Sequence, residues 1–318
     1  MKKELCLFLL ISLLFASCKV GQKAPIPEQE EEQVVEIKQL PYLPKQTPYQ
    51  ASETKVFDLV HTKLRVSFDW EKQYLYGIAN IIVSPHAYPQ TQLFLDAKGF
   101  DIDYVKLIKD DYIEDLTFSY DSLVLRIDLN RTYVAGRALE VEIKYTAKPN
   151  DIRNIESGSS AIKDDKGLYF INPLGKEKNK PRQVWTQGET EASSCWFPTI
   201  DSPNQKMTQE IYVTIDSSFV VLSNGTHVYT VDNADGTNTS YWKQDKPHAP
   251  YLTMIAAGEF AEIKDSWNNI EVNYYVEHAY APYAHDIFGN TPEMLEFFSE
   301  KLDYDYPWDK YSQIVVRD

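Results

Sequence analysis

Hydrophobic and polar positions alternate along most of this chain. Leu64, Val66 and Phe68 alternate with Arg65, Ser67 and Asp69. Leu123, Leu125, Ile127 and Leu129 form a second series, and Leu139, Val141, Ile143 and Tyr145 a third. Ile211, Val213 and Ile215 repeat the pattern, as do Val272, Tyr274 and Val276. A period of two places every second side chain on one face of a pleated strand, so each run predicts a strand with one apolar and one wet face. Turn signals such as Asp235-Gly236 separate the runs, which favours antiparallel neighbours. The spacing predicts about a dozen strands and almost no helix between 57 and 277. The expected fold class is mainly β, an antiparallel β-sandwich over residues 55–278.

The period then changes. Thr291-Pro292-Glu293 offers an N-cap, a proline at the first helical position and an acid in the first turn. Met294, Phe297, Phe298 and Leu302 follow at helical spacing. Residues 313–318 then read as a fresh strand. A helix and a strand at 279–318 begin a second, incomplete α/β unit.

The first residues change the picture at the other end. Lys2 and Lys3 precede an apolar run from Leu7 to Phe15 that is too short to span a bilayer, followed by Ala16-Ser17-Cys18. This resembles a bacterial lipoprotein signal over residues 1–18, with Cys18 as the lipidated residue. It implies an exported chain anchored to a membrane through Cys18, in the periplasm or at the cell surface. Residues 19–54 carry several prolines, the run Glu30-Glu31-Glu32 and few apolar residues. Such a stretch buries too little surface to offset chain entropy, so it is expected to be a disordered tether.

Composition excludes some partners. The 318 residues hold 32 Lys and Arg against 47 Asp and Glu, a formal net charge of −15. No basic cluster is present to neutralise phosphates, so no nucleic-acid partner is expected. Twenty-two tyrosines and six tryptophans suit an aromatic-rich β protein with recognition surfaces. With Cys6 in the signal and Cys18 modified, Cys195 is the one remaining thiol, and no histidine lies near it in sequence to activate it. Packing is its expected role.

The histidines show no His-Glu-x-x-His arrangement, which would set two metal ligands on one helix face. His278 and His285 are separated by Tyr, Ala and Pro residues, which read as a turn. No metal ligand and no catalytic residue is therefore predicted in this chain. The densest chemistry lies at residues 185–203. Trp185-Thr186-Gln187-Gly188-Glu189-Thr190-Glu191 leads to Cys195-Trp196-Phe197-Pro198-Thr199-Ile200-Asp201-Ser202-Pro203. An aperiodic mixture of amide, carboxylate and aromatic groups suits a binding loop on a rigid scaffold. It equally suits a structural connection anchored by its rings, with Gln187 and Glu189 solvated. In the binding case Glu189 offers a carboxylate to a ligand cation and Gln187 adds a directed amide.

Thr186-Gln187-Gly188-Glu189, with Trp196-Phe197-Pro198 and Asp201-x-Pro203, resembles the Thr-Gln-x-Glu … Phe-Pro-x-x-Asp-x-Pro segment of the aminopeptidase N family of zinc metallopeptidases. Leu222-Ser223-Asn224-Gly225 is similar to that family's Ser-Asn-Gly turn. Pro250-Tyr251-Leu252 with Ala257-Gly258-Glu259-Phe260 is similar to a strand pair of the family. Residues 306–311 and 315–318 look like the lead-in to its catalytic domain. The resemblance spans roughly residues 55–318 and implies a saddle-shaped β-sandwich resting on a thermolysin-like α/β zinc domain, of which the first helix and strand are here. It implies a peptide substrate with a free N-terminus, its ammonium held by Glu189 and its first side chain lined by Gln187.

The family's Gly-x-Met-Glu-Asn loop and zinc motif lie beyond a stretch like residues 313–318. The resemblance thus implies zinc in the complete enzyme and none bound by this chain. It also implies a catalytic domain C-terminal to Asp318 as partner, and no peptide hydrolysis by this chain alone. The rival expectation is a non-catalytic surface lipoprotein that holds a glycan or protein partner on the same scaffold.

Overall fold

The computed structural model describes residues 54–109, 112–152 and 165–318. The signal, Cys18 and the tether therefore lie outside the described residues. The first strands are β1 (Phe57–Asp69), β2 (Tyr74–Pro85), β3 (Gln90–Asp96), β4 (Phe100–Lys109), β5 (Tyr112–Asp115) and β6 (Phe118–Tyr120). There follow β7 (Val124–Tyr133), β8 (Leu139–Ala147), β9 (Leu168–Ile171), β10 (Gln183–Thr186), β11 (Met207–Asp216) and β12 (Val220–Ser223). The last are β13 (Thr226–Asp232), β14 (Thr237–His248), β15 (Ile255–Gly258), β16 (Phe260–Trp267), β17 (Ile270–Glu277) and β18 (Lys310–Ile314). Between β17 and β18 stand the helices α1 (Ala284–Phe288) and α2 (Thr291–Leu302).

These strands form an eight-stranded sheet in the order β13-β14-β11-β1-β2-β8-β4-β5, and a four-stranded sheet β12-β15-β10-β9. Two three-stranded sheets, β3-β7-β6 and β16-β17-β18, complete the set. One buried cluster joins Leu64, Ile81 and Ile143 of the large sheet, Leu93 and Ile127 of the β3-β7-β6 sheet, and Val184 and Ala257 of the four-stranded sheet. The chain is mainly β with sheets packed around a main core, as the alternation predicts. Leu64 and Val66, Val141 and Ile143, and Ile211 and Val213 all point into that core. Apolar area removed from water at about 25 cal/mol per Å² is the main force holding the layers together.

Three details differ from the local expectation. β1 pairs with β11 in parallel, Leu64 facing Ile211, and β17 pairs with β18 in parallel. Both pairings join strands distant in sequence, which turn signals cannot announce. Pro250–Leu252 forms a 3-10 turn rather than a strand, with Pro250 in its first positions, where a missing N–H costs nothing. Helix α2 starts at Thr291 but takes Asn290 as its N-cap, with no side-chain capping bond. The Thr291 hydroxyl instead lies 2.7 Å from the Phe288 carbonyl and 2.9 Å from Gln313 Oε1, because α1 runs almost directly into α2. Only Leu295 of α2 joins the small cluster with Trp267, Val272 and Tyr274. Met294, Phe297, Phe298 and Leu302 are exposed.

Candidate functional site

The segment after β10 starts from a fixed point. Thr186 Oγ1 accepts the Ile255 N–H at 2.9 Å and donates to the Ile255 carbonyl at 3.3 Å. Trp185 stacks on Tyr169 with ring centroids 4.3 Å apart, and its Nε1 donates to the Arg317 carbonyl at 3.0 Å. Arg317 is itself paired with Glu277, Nε to Oε1 at 2.5 Å. The backbone N–H of Gln187 donates to the Gly167 carbonyl at 3.0 Å. Gly188 then passes so close to the Pro250–Leu252 turn that a Cβ would stand 2.1 Å from the Tyr251 carbonyl oxygen. Only glycine fits that approach. The peptide bond between Glu189 and Thr190 is cis.

The far end of the segment is stapled to the chain between β3 and β4. Asp96 and Thr199 exchange backbone hydrogen bonds of 2.7 and 3.1 Å. Lys98 donates its N–H to the Ser194 carbonyl at 2.8 Å and its Nζ to the Glu191 carbonyl at 2.6 Å. Ser193 Oγ donates to the Pro250 carbonyl at 2.9 Å. Asp201 is buried; its Oδ2 accepts the Ser194 N–H at 2.8 Å, and its own N–H donates to Asp96 Oδ2 at 2.8 Å. Burial pushes the Asp201 carboxyl up to about 6, against the pull of Ser194 and Lys98. Beneath the turn Ser193–Cys195, Trp196 and Phe197 are fully buried with their rings 4.5 Å apart. Each such ring contributes about 1.5–3 kcal/mol of burial. Cys195 is buried and its thiol is pushed up to about 12 by burial. A thiol held protonated is no nucleophile at neutral pH, in keeping with its expected packing role.

Against this fixed background the two predicted site residues differ from their neighbours. Gln187 is half-buried and Glu189 is exposed. No described residue forms a hydrogen bond or ion pair with the Glu189 carboxylate. The water-excluded carboxylate that the strongest form of the ammonium contact requires is thus not realised in these residues. The two stand on either side of Gly188 in one anchored segment. Asp96, Lys98 and Tyr169, which position that segment, carried no local sequence signal, since each acts across a long stretch of chain.

No group of three or more His, Cys, Asp or Glu side chains among the described residues is arranged to hold a metal ion. Glu277 is engaged by Arg317, and His285 packs edge-on against Tyr274 at 5.9 Å. The described residues therefore do not fit a zinc centre.

A family model described as the peptidase M1 N-terminal domain matches residues 58–252, most of the described sandwich. The chain belongs to that family. Leucine aminopeptidase 2 of Vanderwaltozyma polyspora is 24% identical over 259 residues, covering 81% of this chain and 37% of that protein. Aminopeptidase 2 of Candida albicans is 24% identical over 211 residues, covering 64% of this chain and 21% of that protein. Transcription initiation factor TFIID subunit 2 of Danio rerio is 28% identical over 153 residues, covering 47% of this chain and 13% of that protein. The M1 zinc metallopeptidase of Deinococcus radiodurans has the same fold, with a TM-score of 0.67 at 16% identity over 83% of this chain and 58% of its own. This M1 N-terminal domain chain thus spans less than two thirds of the length of each of these relatives.

Proposed function

We propose that this chain is the substrate-recognition part of a zinc-dependent aminopeptidase that removes N-terminal residues from peptides. Glu189 receives the free α-ammonium of the peptide and Gln187 lines the pocket of its first side chain. The observation that carries this reading is the contrast within one segment: Thr186, Gly188 and Ser193 are locked to Ile255 and the Pro250–Leu252 turn, while Glu189 is exposed and its carboxylate makes no hydrogen bond or ion pair among the described residues. A rigid backbone that presents a lone carboxylate selects a cation at a fixed place, and an internal peptide bond offers none there. In this reading a zinc ion would be held by residues other than the described ones and would supply Lewis-acid chemistry at a carbonyl. The surface-binding alternative is not favoured, because the family match is to a peptidase domain. Export and anchoring through Cys18 belong to the same proposal.

The test is the longest polypeptide that the locus encodes, assayed on an aminoacyl chromogenic substrate with and without chelator. Glu189→Ala should lower kcat/KM by about 10- to 100-fold, the worth of a charge-assisted contact. Unchanged kinetics in the variant would end the assignment of Glu189, and activity insensitive to chelator would end that of zinc.

A further inference from the structure

The Pro250–Leu252 turn has a second side. Its Tyr251 carbonyl backs Gly188, and its Leu252 forms part of the wall of a cavity of about 330 Å³. Leu222, Met254, Ile314 and Trp308 give that cavity an apolar and aromatic body. Ser223, Asn224, Tyr306 and Asp309 also line it, each hydrogen-bonded or ion-paired within the fold, whereas His248 and Ser312 are not. His248 is 2% exposed, and neither ring nitrogen makes a hydrogen bond among the described residues. The buried Ser312 Oγ has no partner there either. Burial lowers the His248 imidazole to about 4, with only the Ala249 backbone opposing, so the ring is neutral and offers one donor and one acceptor.

The cavity is also lined by a cation, Lys310. Lys310 Nζ donates to the Ser223 carbonyl at 2.7 Å and stands 5.2 Å over the Trp242 ring. An ammonium has three donors, and no other hydrogen bond from it is made among the described residues. Glu271 and Asp309 act on it at a distance, but neither forms an ion pair with it. Asp309 is paired with Lys246 at 2.9 Å. A half-buried ammonium with no ion-pair partner among the described residues, beside orphaned neutral polar atoms and an apolar wall, is the complement of an anion on an apolar body.

We propose that this cavity binds a small carboxylate with a ring-sized apolar body. Lys310 holds the carboxylate, Leu222, Met254 and Ile314 enclose the body, and His248 and Ser312 satisfy its remaining polar edge. This assignment stands apart from the role given to Glu189, since neither Gln187 nor Glu189 lines this cavity and the ligand charge is the opposite one. A free acid and the C-terminus of a short peptide present the same chemistry.

The experiment is calorimetric titration of the full 318-residue chain with 3-phenylpropionate, its neutral amide 3-phenylpropionamide, and the dipeptide Gly-Phe. The acid should bind saturably at one site and the amide about tenfold or more weakly, since only the acid can make a charge-assisted bond to Lys310. Tighter binding of Gly-Phe than of 3-phenylpropionate would support a peptide C-terminus as the source, and the reverse a free acid. Lys310→Met should lose the preference for acid over amide. Because Lys310 also ties β18 to Ser223, Met254→Trp provides a second variant that fills the cavity and leaves the ammonium in place; it should abolish binding. Equal binding of acid and amide, undiminished binding to the folded Met254→Trp chain, or no saturable binding of either carboxylate would overturn the proposal.

Discussion

Replacing Asp201 with asparagine removes a buried negative charge while keeping an oxygen for the Ser194 N–H. The carboxyl is raised from the usual 3.8 to about 6, chiefly by burial, with the Ser194 bonds and Lys98 opposing. A raised acid holds its proton more tightly in the folded chain than in the unfolded one. Below about pH 3.8 both states are protonated and the group adds no pH-dependent cost. As pH rises from there to about 6 the unfolded state releases its proton first, so native stability falls; above 6 the cost is constant. Each pH unit between the two values is worth about 1.36 kcal/mol, so the full cost is on the order of 3 kcal/mol. Asparagine does not titrate. The assay is urea unfolding followed by tryptophan fluorescence, at intervals from about pH 4 to about pH 7.5. The Asp201→Asn variant should gain on the native sequence by about 2–3 kcal/mol across that range, with most of the gain between about pH 4 and 6. The absolute difference at the acid end does not matter, since packing of the amide contributes equally at every pH. Curves that run parallel within about 0.5 kcal/mol would refute the argument, showing that water or the Lys98 ammonium compensates the charge.

Two further outcomes test the segment and the anchor. Gly188→Ala must displace both the Tyr251 carbonyl and Ser193 Oγ, which a Cβ would approach to 2.1 and 2.7 Å; it should cost about 1–3 kcal/mol by urea unfolding, whereas a stabilised variant would show that the segment yields freely. Expressed in a bacterium fed radiolabelled palmitate, the chain should carry label and sediment with membranes, and Cys18→Ala should lose both; label retained by the variant would rule out Cys18 as the attachment site.

Much of the candidate segment was legible in the primary structure because its residue types are adjacent. Gln187, Gly188 and Glu189 are consecutive, and Trp196-Phe197-Pro198 with Asp201 follow within one stretch. What that stretch does not contain is its support. Asp96, Lys98, Ile255 and the Tyr251 carbonyl hold it from elements far away in the chain, and each interaction depends on the sheet order. The exposure of Glu189 was likewise invisible, since the same carboxylate is compatible with a buried or an open position. The helical period at Met294, Phe297 and Phe298 marked α2, but not which of its residues are covered: the structure buries only Leu295 and Thr291 of that helix.

Local pattern determined the strands of this protein, because alternation has a fixed geometric meaning: Leu139, Val141, Ile143 and Tyr145 must share a face wherever β8 lies. It also determined the turn at Gly236, where φ is +84° and a side chain is strained. Tertiary structure alone decided the parallel pairing of β1 with β11, the charge cost at Asp201, and the cavity that places Lys310 beside His248 and Ser312. Each of these is a property of what stands next to a residue in space, and burial and electrostatics are set by such neighbours rather than by the order of the chain.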